Sequence, residues 1–279
     1  MMPSFAMIAL AVFTFVTIGF GVSVVLKRND IADVMWGPGI LLAAATGLAT
    51  SGHTVSSAPL AYLICAFVAL WALRIARQIG LRFLSKHDED FRYAQWRRSW
   101  SYFYLRSYAQ VFLLQGLLMI VVAMSAIAAT MYADGSSFSA VAVAAGCLVF
   151  LTGLAFETVA DVQLNAFVKA KTSKTDILTT GLWRYSRHPN YFGEVTAWWG
   201  LWLIAIAPAV AAPTPGNGMV AALGLLSPVA ITVLILYVSG IPMLEAKYDG
   251  NAAFQDYKRR TSAFFPWFPS DTRASGTTA

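Results

Sequence analysis

The sequence predicts an all-α, polytopic membrane protein of seven transmembrane helices, N-terminus outside and C-terminus in the cytosol. Three observations predict it. First, 58% of the 279 residues are hydrophobic and only 12% are charged, against about 25% charged in soluble domains. Second, the apolar residues form non-alternating runs of roughly 20, the length a helix needs to cross a bilayer; a barrel strand is shorter and alternates. Inside lipid the backbone must satisfy itself, so such runs read as helices. Third, all 20 Lys and Arg fall on one set of connections.

The spans are 4–26, 34–51, 58–76, 107–131, 138–161, 191–211 and 219–244. The second is short and carries Gly37-Pro38-Gly39. The first is no cleaved signal, because no positive charge precedes it and its apolar run is too long. Lys27 and Arg28 follow span 1, Arg74 to Arg106 lie between spans 3 and 4, Lys169 to Arg187 between spans 5 and 6, and Lys247 to Arg273 after span 7. The opposite connections carry only His53 and Asp134. Positive charge marks the cytosolic side, and only an odd number of spans keeps this separation. The net charge of +6 therefore needs no nucleic acid partner. Residues 1–269 form one domain, with substrate-side helices over 1–106 and a cofactor-binding half over 138–269. The segment 245–269 reads as an amphipathic helix ending in the interfacial anchor Phe264-Phe265-Pro266-Trp267, and 270–279 as a disordered tail. Cys65 and Cys147 sit in apolar segments as small core hydrophobes. No CxxC and only three His give no metal signature.

Ionisable groups within spans are expensive and point to function. Glu157, Asp161 and Asn165 are spaced i, i+4, i+8, one polar stripe on a helix. Asn190 and Glu194 repeat the spacing. Asp33 heads span 2, Arg74 closes span 3 one turn after Trp71, and Glu245 closes span 7. Such groups can also pair merely to hold helices together, as Arg74 with Glu157 would. Gathered at one depth on one side, they describe a polar mouth under an apolar chamber. That suits a lipophilic substrate meeting a water-soluble cofactor.

The run Gly181-Leu-Trp-Arg-Tyr-Ser-Arg-His-Pro-Asn-Tyr-Phe-Gly-Glu194 is the most informative. Arg184, Arg187 and His188 precede a helix whose N-terminus favours anions, and Pro189 suits its first turn. With Lys169, Lys171 and Lys174 they could hold a phosphate or pyrophosphate. A basic loop on anionic lipid heads would account for the lysines equally well.

This run, together with Phe156-Glu157, Ala160-Asp161, Gln163-Leu164, Ser239-Gly-Ile-Pro-Met-Leu-Glu245, Asp33 with Trp36-Gly37, and Asp88-Glu-Asp-Phe-Arg-Tyr93, resembles the bacterial branch of the steroid 5α-reductase family over nearly the whole chain. The resemblance extends to the animal steroid 5α-reductases and the sterol reductases. It implies an NADPH-dependent reductase of a conjugated enone, typically a 3-oxo-Δ4-steroid, in a bacterial inner membrane with its mouth facing the cytosol. By the resemblance Asp161, Asn190 and Glu194 match positions that contact NADPH, and Glu157 replaces a family Asn. Asn165, Lys171, Arg184, Tyr185, Arg187, His188 and Tyr191 lie in or beside the same motif, and Glu245, Tyr248 and Tyr257 lie near cofactor positions in the tail. The animal enzymes hold the carbonyl with a Gln-Glu pair and a Tyr; here Ala32-Asp33 and Trp71 fall in register. The lipid bilayer and a steroid-like substrate are the implied partners, with no nucleic acid, metal or obligate protein partner.

In enone reduction hydride adds to the β-carbon and charge develops on the carbonyl oxygen. A donor aimed there contributes roughly 3–4 kcal/mol. The expectation is that Asp33, kept protonated by burial and oriented by Trp36 or Trp71 near Arg74, is that donor. No Rossmann fingerprint is present, since Gly216-Asn-Gly-Met-Val-Ala221 has no strand before it. Two other readings stand beside this one. Arg-His-Pro-x-Tyr also occurs in isoprenylcysteine-type methyltransferases that use S-adenosylmethionine, but those carry a Glu-Glu pair where Glu245 is followed by Ala246. A transporter would need polar access from both faces, and the outer connections are short and nearly chargeless.

Overall fold

The computed structural model describes residues 2–86, 88–132, 137–173 and 175–270, and among them every regular element is helical. His87, Asp134, Lys174 and the tail 271–279, which includes Arg273, lie outside the described residues. In chain order the α-helices are α1 (Met2–Leu26), α2 (Ile31–Val34), α3 (Trp36–Ser51), α4 (Pro59–Leu84), α5 (Phe91–Ser99), α6 (Phe103–Ser107), α7 (Leu114–Val122), α8 (Met124–Tyr132), α9 (Ala140–Ala170), α10 (Pro189–Ala205), α11 (Ala207–Ala211), α12 (Pro215–Gly224), α13 (Leu226–Val233), α14 (Ile241–Glu245) and α15 (Ala252–Arg260). Wide π-type turns over Tyr108–Leu113 and Leu234–Val238 run on into α7 and out of α13.

Five helical stretches are long and apolar enough to cross a membrane: Ser4–Leu26, Pro59–Leu84, Phe103–Val122, Ala140–Ala170 and Pro215–Tyr248. That is consistent with an integral membrane protein. The other two expected spans are helical but shorter. Residues 34–51 give the 16-residue α3 after the single turn of α2. Residues 191–211 divide into the 17-residue α10 and the five-residue α11, with Pro208 in the first turn after the break.

The lipid-compatible character is visible on single helices. In α1, Ile8, Val12 and Val16 face inward and are at most 1% exposed, while Leu10 and Ile18 are over 60% exposed on the other side. An apolar face of this kind has no place in water. α9, with 31 residues, is about 46 Å long at 1.5 Å per residue. It outruns the roughly 30 Å hydrocarbon layer, and its polar stripe lies in its C-terminal half.

The chain forms two compact units. One holds the described residues up to Val143 and also Leu201–Ala230; the other holds Ala144–Gly200 and the described residues from Ile231 on. In the first, α3 packs on α1 and α4, and α8 packs on α3, α4 and α12. Ser125 Oγ donates to the Gly224 carbonyl at 2.8 Å, fixing α8 against α12. In the second, α9 and α10 approach at backbone contact. A Cβ at Gly193 would lie 2.4 Å from the Glu157 nitrogen, and one at Gly153 would lie 2.4 Å from the Ala197 nitrogen. Only glycine permits this approach, and it sets the acidic residues of α9 against the head of α10. Backbone cannot yield as a side chain can, so Gly193→Ala is expected to destabilise by about 1–3 kcal/mol, the usual range for overpacking. The check is a lowered thermal midpoint of the purified protein.

Candidate functional site

In the first unit, the corner after α1 is tied to the segment before α6 by charge. The Arg28 guanidinium bonds Asp30 at 2.8 Å, donates to the carbonyls of Phe83 and Lys86, and lies 3.8 Å over the Phe83 ring. The Asn29 N–H donates to Glu89 at 2.7 Å, and Arg97 pairs with Glu89 at 2.8 Å. Asp90 caps α5 by accepting from the Arg92 N–H. Arg92 and Tyr93, in the first turn of α5, both meet Asp33 of α2.

The result is a carboxylate held by two neighbours. Asp33 Oδ2 pairs with Arg92 at 2.7 Å, and its Oδ1 accepts from the Tyr93 hydroxyl at 2.7 Å. Tyr93 is 2% exposed, sets its ring edge-on to Trp96, and its hydroxyl also bonds the Gln115 side chain, just beyond the wide turn. Burial, with the adjacent Asp33 charge, pushes the Tyr93 phenol well above its usual range. Burial also pushes the Asp33 carboxyl up, and Arg92 and the Tyr93 hydroxyl offset this only in part.

Of the expected residues here, Trp36 is half-buried at the head of α3, Trp71 is fully buried in α4, and Arg74 is half-buried one turn on. The partners that hold Asp33 are instead Arg92 and Tyr93. In the sequence they stand only as the last two residues of the run Asp88–Tyr93. The signal that points to them is the acidic run Asp88-Glu89-Asp90 capping a helix that opens Phe-Arg-Tyr.

In the second unit the expected residues form two clusters. Glu157, Asp161 and Glu194 are all buried where α9 meets α10. Asn190 Nδ2 donates to Asp161 Oδ1 at 3.3 Å, and the buried Asn190 Oδ1 has no partner among the described residues. Tyr191 stacks on the His188 ring, with centroids 5.5 Å apart.

The other cluster is a clasp. Glu245 Oε1 accepts from Arg187 Nε at 2.8 Å and His188 Nε2 at 3.1 Å, and its Oε2 pairs with Lys258 at 3.1 Å. Arg187 also donates to the carbonyls of Lys258 and Thr261, and its backbone N–H to Ser262. The Tyr257 hydroxyl donates to the carbonyls of Trp183 and Ser186. Ser186 Oγ donates to the Phe264 carbonyl at 2.8 Å, and Trp267 N–H to the Tyr185 carbonyl at 2.9 Å. Ser186 Oγ also accepts from the His188 N–H where α10 begins at Pro189. These bonds lay the tail over the 181–188 turn. Gly181 opens that turn at φ +63°, with the Gln163 amide packed where a side chain would stand and accepting from the Leu182 N–H.

Arg187 and His188, expected as anion ligands, are thus turned inward and bonded to protein. Asn165, Lys171 and Arg184 are exposed, and Tyr248, 37% exposed, stacks on Phe254. Among the described residues no group of three or more His, Cys, Asp or Glu is placed to hold a metal ion.

Comparison with curated proteins and with solved structures finds no match. Residues 19–261 match the family described as Protein of unknown function (DUF1295). The match takes in both the Asp33–Tyr93 pair and the α9–α10 acid–amide cluster, and the chain is a member of that family.

Proposed function

We propose that the protein reduces the conjugated C=C bond of a 3-oxo-Δ4-steroid or similar enone lipid with NADPH. The residues about Asp161 and Asn190 carry the cofactor contacts. The observation that carries this reading is the buried Asn190 Oδ1, which accepts from no described residue and lies beside the Asp161 carboxylate. A buried acceptor without a donor costs about 1–3 kcal/mol. A ligand carboxamide supplies N–H groups of the required kind, and the nicotinamide ring bears one. The motif from Gly181 to Glu194, which resembles the steroid 5α-reductases, supports the same cofactor.

The Asp33–Tyr93 pair supports the other half of the chemistry. Charge developing on an enone oxygen needs a positioned donor in a dry site; the single Tyr93 proton, given to Asp33 Oδ1 in this structure, turns to the enone oxygen when Asp33, its carboxyl pushed up by burial, is protonated and donates to the phenol oxygen. Asp33, read from the sequence as the donor itself, becomes the group that holds that hydroxyl. The proposal includes seven spans, an outside N-terminus and a mouth facing the cytosol of a bacterial inner membrane.

The test uses the purified full chain in lipid nanodiscs, incubated with NADPH and a panel of Δ4-3-ketosteroids. NADPH oxidation is expected with a product gaining two hydrogens by mass. Tryptophan quenching that responds to S-adenosylmethionine and to neither NADPH nor NADH would overturn the reading in favour of a methyltransferase.

A further inference from the structure

The first unit carries an arginine-rich aromatic shelf beside the Asp33 network. Residues 91–107 hold four arginines and no acidic residue. Arg92 pairs with Asp33 and Asp90, and Arg97 with Glu89. Arg98 and Arg106 are exposed and meet no carboxylate among the described residues. Arg106 lies 5.1 Å over the Trp100 ring, which stacks on Trp96 with centroids 5.0 Å apart. Trp96 in turn meets the buried Tyr93 ring edge-on, so the shelf is anchored inside the unit. A ring holds a guanidinium by its face and leaves the N–H donors for another acceptor. Tyr102, at φ +53°, turns the chain from α5 into α6, and its side chain and those of Tyr104 and Leu105 stand exposed.

These residues join two stretches long and apolar enough to cross a membrane, Pro59–Leu84 and Phe103–Val122. A link between two spans lies at the level of the lipid headgroups. There tyrosine and tryptophan rest with their rings at the apolar boundary and their polar tips in water. An arginine without a carboxylate meets phosphate there, which its planar fork of N–H groups fits. A zwitterionic headgroup answers its phosphate with its own ammonium; an anionic one leaves that charge to the protein. We propose that this shelf docks an anionic glycerophospholipid. Its phosphate rests on Arg106, Arg98 adds positive potential, and Tyr102, Tyr104 and Leu105 lie against the glycerol and upper acyl chains. Docking of this kind is independent of the reductase chemistry.

The full chain, in a non-ionic, phosphate-free detergent, is followed by native mass spectrometry with palmitoyl-oleoyl phosphatidylglycerol and with phosphatidylcholine of the same chains. The phosphatidylglycerol is expected to bind about 25-fold tighter, from about 5-fold for each of two guanidiniums near an anionic headgroup. Arg106→Gln and Arg98→Gln should each remove about 5-fold of that preference, and the double variant nearly all of it. Arg106→Lys should keep part, since an ammonium retains the charge without the fork. Tyr102→Ser combined with Leu105→Ser should weaken both lipids alike. Both arginines are exposed, and unchanged thermal unfolding of the variants checks that the fold survives. Equal binding of the two lipids, or a preference that survives the double Gln variant, would overturn the proposal. Loss of the preference on Lys169→Gln with Lys171→Gln would place the lipid on the other unit's basic loop and overturn it too. Binding untouched by the Tyr102 and Leu105 changes would leave a bare anion site and sink the phospholipid.

Discussion

Glu245→Ala is expected to lower stability by about 3–5 kcal/mol, the range for breaking a buried ion pair by removing one partner. The carboxylate is 7% exposed and meets three cationic or protonatable groups, two of which, Arg187 and His188, are themselves buried. Removing it leaves those two facing each other without a counter-charge. It also frees the tail, since Arg187 bonds the carbonyls of Lys258 and Thr261 from the same position. Thermal unfolding of the detergent-purified protein should drop by roughly 10 °C. Glu245→Gln should fall between, because its amide oxygen still accepts one bond. Lys258→Ala should change little, as its ammonium is 44% exposed and an exposed pair is worth about 0–1 kcal/mol. If Glu245→Ala melts like the parent but no longer binds NADPH, the clasp is not structural and Glu245 touches the cofactor, as the sequence suggested.

That alternative shows what the sequence could and could not convey. The apolar runs and helix-end charges were legible because bilayer thickness and the cost of burying charge act on local sequence. The Pro189 start of α10 was legible for the same local reason. The i, i+4 spacing of Glu157 and Asp161 placed both on one helix face, and both are buried. The break after Ala205 was hidden, since the run stays apolar through it and only Pro208 hints at a new first turn. Arg187 and His188 matched anion ligands by residue type, but their partner Glu245 lies more than 50 residues away. Nothing in the motif reports that the tail folds back over it. Trp71 falls in register with the animal enzymes' Tyr, whereas Tyr93 meets Asp33 across 60 residues of sequence, a contact that no local pattern reports.

The proposed chemistry then makes its sharpest prediction at that tyrosine. Tyr93→Phe is expected to lower kcat for enone reduction by about 10²–10³-fold with KM little changed, the scale of losing one oxyanion donor. The ring, its packing on Trp96 and the Asp33–Arg92 pair at 2.7 Å all survive the substitution, so the fold should hold, with stability lowered by about 1–3 kcal/mol for the lost bond to Asp33. A loss of kcat without a loss of KM marks an interaction made chiefly in the transition state. Asp33→Asn should cost less than Tyr93→Phe, because the amide N–H can still donate to the phenol oxygen, hold it in place and leave its proton for the enone. An ordinary tyrosine ionises near pH ~10, but burial and the Asp33 charge raise Tyr93 well above that. The donor form is favoured by a raised value, so it persists as pH rises through 10. Activity limited by Tyr93 should therefore show no falling limb below pH ~10, and Tyr93→Phe should lower the whole profile without shifting it. Full activity in Tyr93→Phe would remove the hydroxyl from the mechanism and return the role to Asp33, which Asp33→Asn would then reveal by its own loss of kcat.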